Sequence, residues 1–187
     1  MVIKVAKTIK EIRSRKGLTQ ETLAARAGLT RSYISLIESG KKTPAIATLY
    51  KLANILNVSI SEFLVEGNIE EEKKESSSIY KNIEKTEVEN NKSLGYGYEA
   101  LFPNIKNKMM ETFYIKVFAG NETAELSHDG EEFMLVIRGI LEVTHGNKQF
   151  VLQKGDSAYI DSTIKHKFKA IDKKDAEFLS INTYKEK

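Results

Sequence analysis

Two rhythms divide this chain. Up to about residue 64, apolar residues recur at intervals of three and four; beyond about residue 93 they fall in short runs broken by glycine turns. Val5, Ile9 and Ile12 mark a first helix. Thr19 can cap a second, with Glu21 in its first turn, Leu23, Ala24 and Ala27 on one face and Gly28 at its end. Thr30 caps a third, with Ile34 and Ile37 inward and Gly40 as its stop. Thr43 and Pro44 read as the cap and first position of a fourth, whose Leu49, Leu52, Ala53 and Leu56 share one face. Ser59 can cap a last helix that ends at Phe63 or Leu64. Five short helices, with a tight turn between the second and third, predict a compact helix-turn-helix bundle.

The later rhythm is that of strands. METFYIKVFA, EEFMLVIRGILEVTHG, KQFVLQKG, DSAYIDS, HKFKAI and AEFLSINTY are separated by Gly120-Asn121, Asp129-Gly130, Gly146-Asn147 and Lys154-Gly155-Asp156. Many short strands at regular spacing predict an all-β barrel or sandwich, and Gly146-Asn147 is a hairpin signal. Between the two patterns, residues 66–92 hold eight acids, five lysines and few large apolar residues. That composition reads as a tether, with Ile79, Ile83 and Val88 able to lie as a strand or short helix against the next domain. The expected division is a helical domain over 1–65, a charged linker over 66–92 and a β-domain over 93–187.

Charge sharpens this division. The chain of 187 residues carries a net +3, but its first 65 residues hold eleven lysines and arginines against four acids, a net +7. A basic surface of this kind is the electrostatic footprint of phosphate binding. Cysteine is absent, which removes disulfides and cysteine-based metal sites or nucleophiles. Met1-Val-Ile-Lys opens no signal peptide, and no apolar run reaches the ~18–20 residues of a membrane span. The expectation is a soluble cytoplasmic protein with no membrane partner.

The segment from about Ile9 to Leu64 resembles the lambda-repressor-like (Cro/C1, XRE) helix-turn-helix family. The likeness rests on G-L-T-Q-E, A-G-L-T, I-E-S-G-K and a closing N-V-S-I-S-E-F-L. The resemblance implies that Gln20 grips a phosphate and that Thr30, Arg31, Ser32, Ser35 and Leu36 face the bases, with Tyr33 at the edge. Lys41 and Lys42 would contact the DNA backbone, and Arg13 would pair with Glu38 as scaffold. Arg31 can bond a guanine bidentately.

From Gly120 to Ala170 the chain resembles a cupin, a double-stranded β-barrel. Gly120, Leu126, His128, Glu132 and Gly139 fall on the spacing of the first cupin motif, and Gly155, Asp161, Thr163, His166 and Ala170 on that of the second. His128, Glu132 and His166 match three of the four metal-ligand positions, and Leu126 replaces the first histidine. Two histidines and a carboxylate with open positions suit non-heme Fe(II), and also zinc, manganese or nickel. The same cluster without metal would bind a small molecule or pair internally. Met134, Val136, Tyr159 and Phe168 are expected to line an effector pocket or to be plain core. Tyr98 would cover the barrel mouth or pack, and His145 would be exposed.

A helix-turn-helix, a linker and a cupin in this order resemble regulators whose cupin senses a metabolite. The resemblance implies sequence-specific binding of an operator in double-stranded DNA, a small-molecule effector and a homodimer. The same arrangement resembles a mononuclear non-heme iron enzyme, hydroxypropylphosphonate epoxidase, whose facial triad His128, Glu132 and His166 match. The basic, polar recognition face favours the regulator over the enzyme.

Overall fold

The structure is a computed structural model that describes residues 2–64, 94–103, 105 and 108–183. The chain divides into two compact units, Met1–Asn68 and Ile69–Lys187. The expected tether, with Ile79, Ile83 and Val88, lies outside the described residues.

The first unit is helical: α1 (Val2–Arg15), α2 (Gln20–Ala27), α3 (Arg31–Glu38), α4 (Ile46–Leu56) and α5 (Ser61–Leu64). Local chemistry sets most of the boundaries. Thr19 Oγ1 accepts from the Thr22 N–H at 3.0 Å, and Thr30 Oγ1 from the Tyr33 N–H at 3.1 Å. Each cap satisfies a first-turn donor that has no partner within its helix. Gly28 turns the chain out of α2 at φ 64°, where a side chain is strained. The start of α4 departs from expectation. It begins at Ile46 behind Ala45, without a side-chain cap, while Thr43 and Pro44 stay outside it and Pro44 is buried. Burial of the proline outweighs its preference for the first helical position. Leu23, Ile34, Leu49, Leu52 and Leu56 are wholly excluded from water. Burial of this kind contributes ~1.5–3 kcal/mol for each side chain.

The second unit contains β1 (Tyr96–Leu101), β2 (Met110–Val117), β3 (Glu131–Arg138), β4 (Ile140–His145), β5 (Lys148–Gln153), β6 (Ser157–Asp161), β7 (His166–Ala170) and β8 (Ala176–Thr183). One antiparallel sheet runs β1-β2-β8-β3-β6 and a second runs β5-β4-β7. β1 is an additional strand, in which Tyr96 and Tyr98 alternate inward. The apolar run from Glu131 to His145 forms two strands, since Gly139 at φ 77° breaks it and β3 and β4 enter different sheets. A Cβ at Gly139 would lie 2.3 Å from the Asp175 carbonyl oxygen, so this corner needs glycine.

Strand register builds the interior in rows. Glu111, Asn182, Glu132 and Ile160 stand side by side across β2, β8, β3 and β6. Phe113, Ser180, Met134 and Ala158 form the next row. Tyr98, Ile115, Phe178 and Val136 form the one after. The smaller sheet contributes buried Leu141, Val143, His166, Phe168 and Ala170. Phe168 and Phe178 join the two sheets, their ring centroids 4.9 Å apart.

Candidate nucleic-acid interface and metal centre

In the helical unit, α3 is split into two faces. Ile34 and Ile37 are buried, while Arg31, Ser32, Ser35 and Leu36 are exposed, with Thr30 exposed at the helix start. Leu36 is 41% exposed, an apolar side chain held out among polar ones. Lys41 and Lys42 are exposed after the helix, and Lys42 Nζ lies 5.3 Å from the centroid of half-buried Tyr33. That is a cation–π distance.

A polar network anchors this face from behind. Arg13 donates from Nε and Nη2 to Glu38 at 2.5 and 2.9 Å, and from Nη1 to the Leu18 carbonyl at 2.6 Å. The hydrogen bond to Glu38, against the effect of burial, raises the Arg13 pKa. The expected scaffold pair is thus present. Gln20 Nε2 also donates to Glu38, at 2.8 Å. The side chain expected to grip phosphate is therefore tied into the scaffold through one of its two N–H groups.

In the β-unit, His128, Glu132 and His166 come together from the turn before β3, from β3 and from β7. All three are buried, and their ligand atoms lie within 4.8 Å of one another. Glu132 Oε2 is 3.3 Å from His166 Nε2 and 3.9 Å from His128 Nε2. The orientation of each imidazole has a cause. His166 Nδ1 donates to the Ile164 carbonyl at 2.9 Å and His128 Nδ1 to that of Asp129 at 3.3 Å. These bonds place a proton on Nδ1 of each ring and turn both Nε2 atoms toward Glu132. On the carboxylate, Oε1 accepts from Ser180 Oγ at 2.6 Å, and Ser180 Oγ accepts from Asn182 Nδ2 at 2.8 Å.

Neither Glu132 Oε2 nor His166 Nε2 has another hydrogen-bond partner among the described residues, and their 3.3 Å approach is an ion pair when His166 carries its second proton. Burial lowers the His128 pKa and outweighs the attraction of Glu132. Burial also opposes the charge on His166, but Glu132 wins there and the pKa is raised. This donor set fits a divalent ion. Two ligands ~2.1 Å from a metal at a near-tetrahedral angle stand ~3.4 Å apart, and Glu132 Oε2 is already 3.3 and 3.9 Å from the two Nε2 atoms. Leu126, at the missing ligand position, is buried beside His166 and exchanges two backbone hydrogen bonds with it, each 2.9 Å. Among the described residues the set stays at three protein ligands.

The residues expected to line a pocket separate. Met134 follows Glu132 one row deeper, and Phe168 follows His166 on β7, ring centroids 5.7 Å apart. Val136 and Tyr98 lie a further row in, about 14 Å from the Glu132 row at 3.4 Å per residue. Tyr98 does not cover a mouth. It is buried in β1, edge-on to Phe113 at 6.5 Å, and burial pushes its hydroxyl pKa up. Tyr159 is a correction: it is 65% exposed. Its partner in β3 is Phe133, which puts it on the outer face, and Ile160 takes the inward place. His145 is half-buried rather than exposed, and its Nε2 donates to the Asp161 carbonyl at 2.9 Å. Ser180 and Asn182 were not among the expected site residues. Their signal is two polar side chains in the parity of Phe178, the buried parity of β8.

Comparison with known proteins agrees with both units. A helix-turn-helix family model matches residues 9–63, and a cupin domain model matches residues 113–182. The HTH-type transcriptional regulator PuuR of Escherichia coli (strain K12) is 32% identical over 163 residues, which is 87% of this chain and 85% of that protein. SutR, another HTH-type transcriptional regulator of Escherichia coli (strain K12), is 24% identical over 179 residues, 95% of this chain and 93% of the relative. An HTH_3 family transcriptional regulator from Vibrio cholerae shares the fold, with a TM-score of 0.74 at 24% identity over 98% of this chain and 97% of its own. The relatives matched over most of the chain are named as regulators, which sets aside the epoxidase reading. This chain belongs to the helix-turn-helix transcriptional regulators that carry a C-terminal cupin domain.

Proposed function

We propose that this regulator binds a two-half-site operator as a homodimer and that its cupin unit senses a small molecule through a bound divalent metal. The helical domain ends near residue 65, the cupin domain starts near 93, and the segment between them links input to output. Among the described residues no helix is long and apolar enough to cross a membrane, which is consistent with a cytoplasmic regulator.

The observation that carries the sensing role is the cluster of His128, Glu132 and His166. A structural ion pair needs no second imidazole, and it needs no backbone bonds turning two Nε2 atoms toward one carboxylate. These three residues would hold the ion. Bound there, it supplies a Lewis-acidic position at which an effector can replace water. Ser180 holds the carboxylate, and the Ile164 and Asp129 carbonyls hold the imidazoles.

On the DNA side, Thr30, Arg31, Ser32, Ser35 and Leu36 face the major groove, and Lys41 and Lys42 take phosphates. Tyr33 lies at the rim under Lys42. Gln20 keeps one N–H for phosphate beyond the one it gives Glu38. Two such helices reading half-sites about one helical turn apart require the dimer. Effector binding then acts by favouring one relative pose of the two readers.

Selection of bound DNA from a random pool tests this reading, repeated with chelator and with metabolite extracts. Enrichment of a two-fold symmetric sequence whose yield responds to chelator is expected. Salt-insensitive binding without enrichment would overturn it.

A further inference from the structure

The relay behind Glu132 has a direction. Ser180 has one hydroxyl proton and gives it to Glu132 Oε1 at 2.6 Å, because a carboxylate only accepts. Ser180 Oγ must then accept from Asn182, whose Nδ2 is 2.8 Å away. That orients the amide with its NH2 toward Ser180 and Oδ1 turned away. Asn182 is 2% exposed, and its Oδ1 has no hydrogen-bond partner among the described residues. A buried carbonyl oxygen left unpaired is costly, and binding sites are where such atoms persist.

Its place makes the unpaired atom informative. Asn182 is the cross-strand partner of Glu132 on one side and of Glu111 on the other, so it lies in the row of the metal cluster. Glu111 is already paired with Lys108 Nζ at 2.7 Å. Asn182 shares the inward parity of Phe178, two rows deeper in β8, yet is polar where a plain core strand would be apolar.

We propose that Asn182 reads the effector: its Oδ1 accepts a hydrogen bond from a hydroxyl or amino group on a small chelating molecule held against His128, Glu132 and His166. The proposal rests on the metal-sensing reading above. The ligand class is a compact chelator with an O–H or N–H donor beside its metal-binding group, as in 2-hydroxy and 2-amino acids. A methylated analogue lacking the donor would leave Oδ1 buried and unpaired.

The test uses the full chain loaded with cobalt(II), read by its visible absorption and by calorimetry. The probes are glycolate and glycine, each against its methylated counterpart, methoxyacetate and N,N-dimethylglycine. Asn182→Leu keeps the side-chain volume and loses the acceptor, whereas Asn182→Asp keeps an acceptor. The wild type should prefer a donor-bearing probe by about tenfold or more. That preference should fall to within about twofold in Asn182→Leu, where only steric discrimination is left, and survive in Asn182→Asp. Preference for glycolate assigns a hydroxyl donor, and preference for glycine an amino donor. Equal discrimination by wild type and Asn182→Leu, or no binding of either donor probe to the cobalt-loaded wild type, overturns the proposal. If Asn182→Leu does not fold, loss of discrimination in Asn182→Asp overturns it. A wild type that takes up no cobalt fails the metal reading first, and this proposal with it.

Discussion

Replacing Glu132 with glutamine should change the stability of the cupin unit in opposite directions with and without metal. The Glu132 carboxylate is 2% exposed, with one oxygen bonded to Ser180 and the other only in charge contact with His166. Burial of a carboxylate costs several kcal/mol, and a single hydrogen bond with one imidazole offsets only part of that. Glutamine keeps the shape and an oxygen for Ser180. At pH 8 His166 can go neutral once its partner is lost, so no buried charge is stranded. In chelator, Glu132→Gln should therefore match the wild type or exceed it by up to about 1 kcal/mol. With metal at ~100 times its dissociation constant, the wild type gains ~2.7 kcal/mol that the variant does not. In a unit of this size the difference amounts to roughly 10 °C in Tm. Calorimetric melting of the full chain, with EDTA and then with zinc or manganese, measures both arms. Equal destabilisation of the variant in both conditions would instead make Glu132 a structural partner of His166.

The pH dependence should also change sign with metal. In chelator, His166 is raised above its ordinary value of 6.5 by Glu132 in spite of burial. The stability from that pairing is complete below the ordinary value and is lost as pH rises through the folded one. With metal, protons compete for the imidazoles, so stabilisation should grow between about pH 5 and 8 in denaturant titrations. In the helical unit, Glu38→Gln breaks the bidentate pair with Arg13, whose side chain is 11% exposed. It should cost ~3–5 kcal/mol, seen as a lower urea midpoint for the helical signal. The double change Lys41→Ala and Lys42→Ala should weaken binding to all DNA sequences alike and reduce the slope of log affinity against log salt by up to about 2.

How much of this could be read from the sequence follows from how local each determinant is. The caps at Thr19 and Thr30, the end of α2 at Gly28 and the inward face of α4 depend on neighbours within a turn, and each is found. The start of α4 is not local in this way, because burial of Pro44 is a tertiary effect. His128, Glu132 and His166 converge because their spacing carries the motif. Facing and depth in the barrel depend instead on register between strands far apart in the chain. Tyr159 has a plausible parity within β6, but its pairing with Phe133 turns it outward. Ser180 and Asn182 reach Glu132 only through the pairing of β3 with β8, a relation no short window of sequence contains.

The cluster of His128, Glu132 and His166 is expected to control DNA binding. The most direct test is fluorescence anisotropy of the full chain on its selected operator at fixed salt, with chelator and with metal, for the wild type and His166→Ala. Coupling of ~1–3 kcal/mol predicts a shift in operator affinity of roughly fivefold or more on metal loading of the wild type, and none in His166→Ala. Superimposable wild-type isotherms with and without metal, for a protein shown to bind the metal, would contradict it.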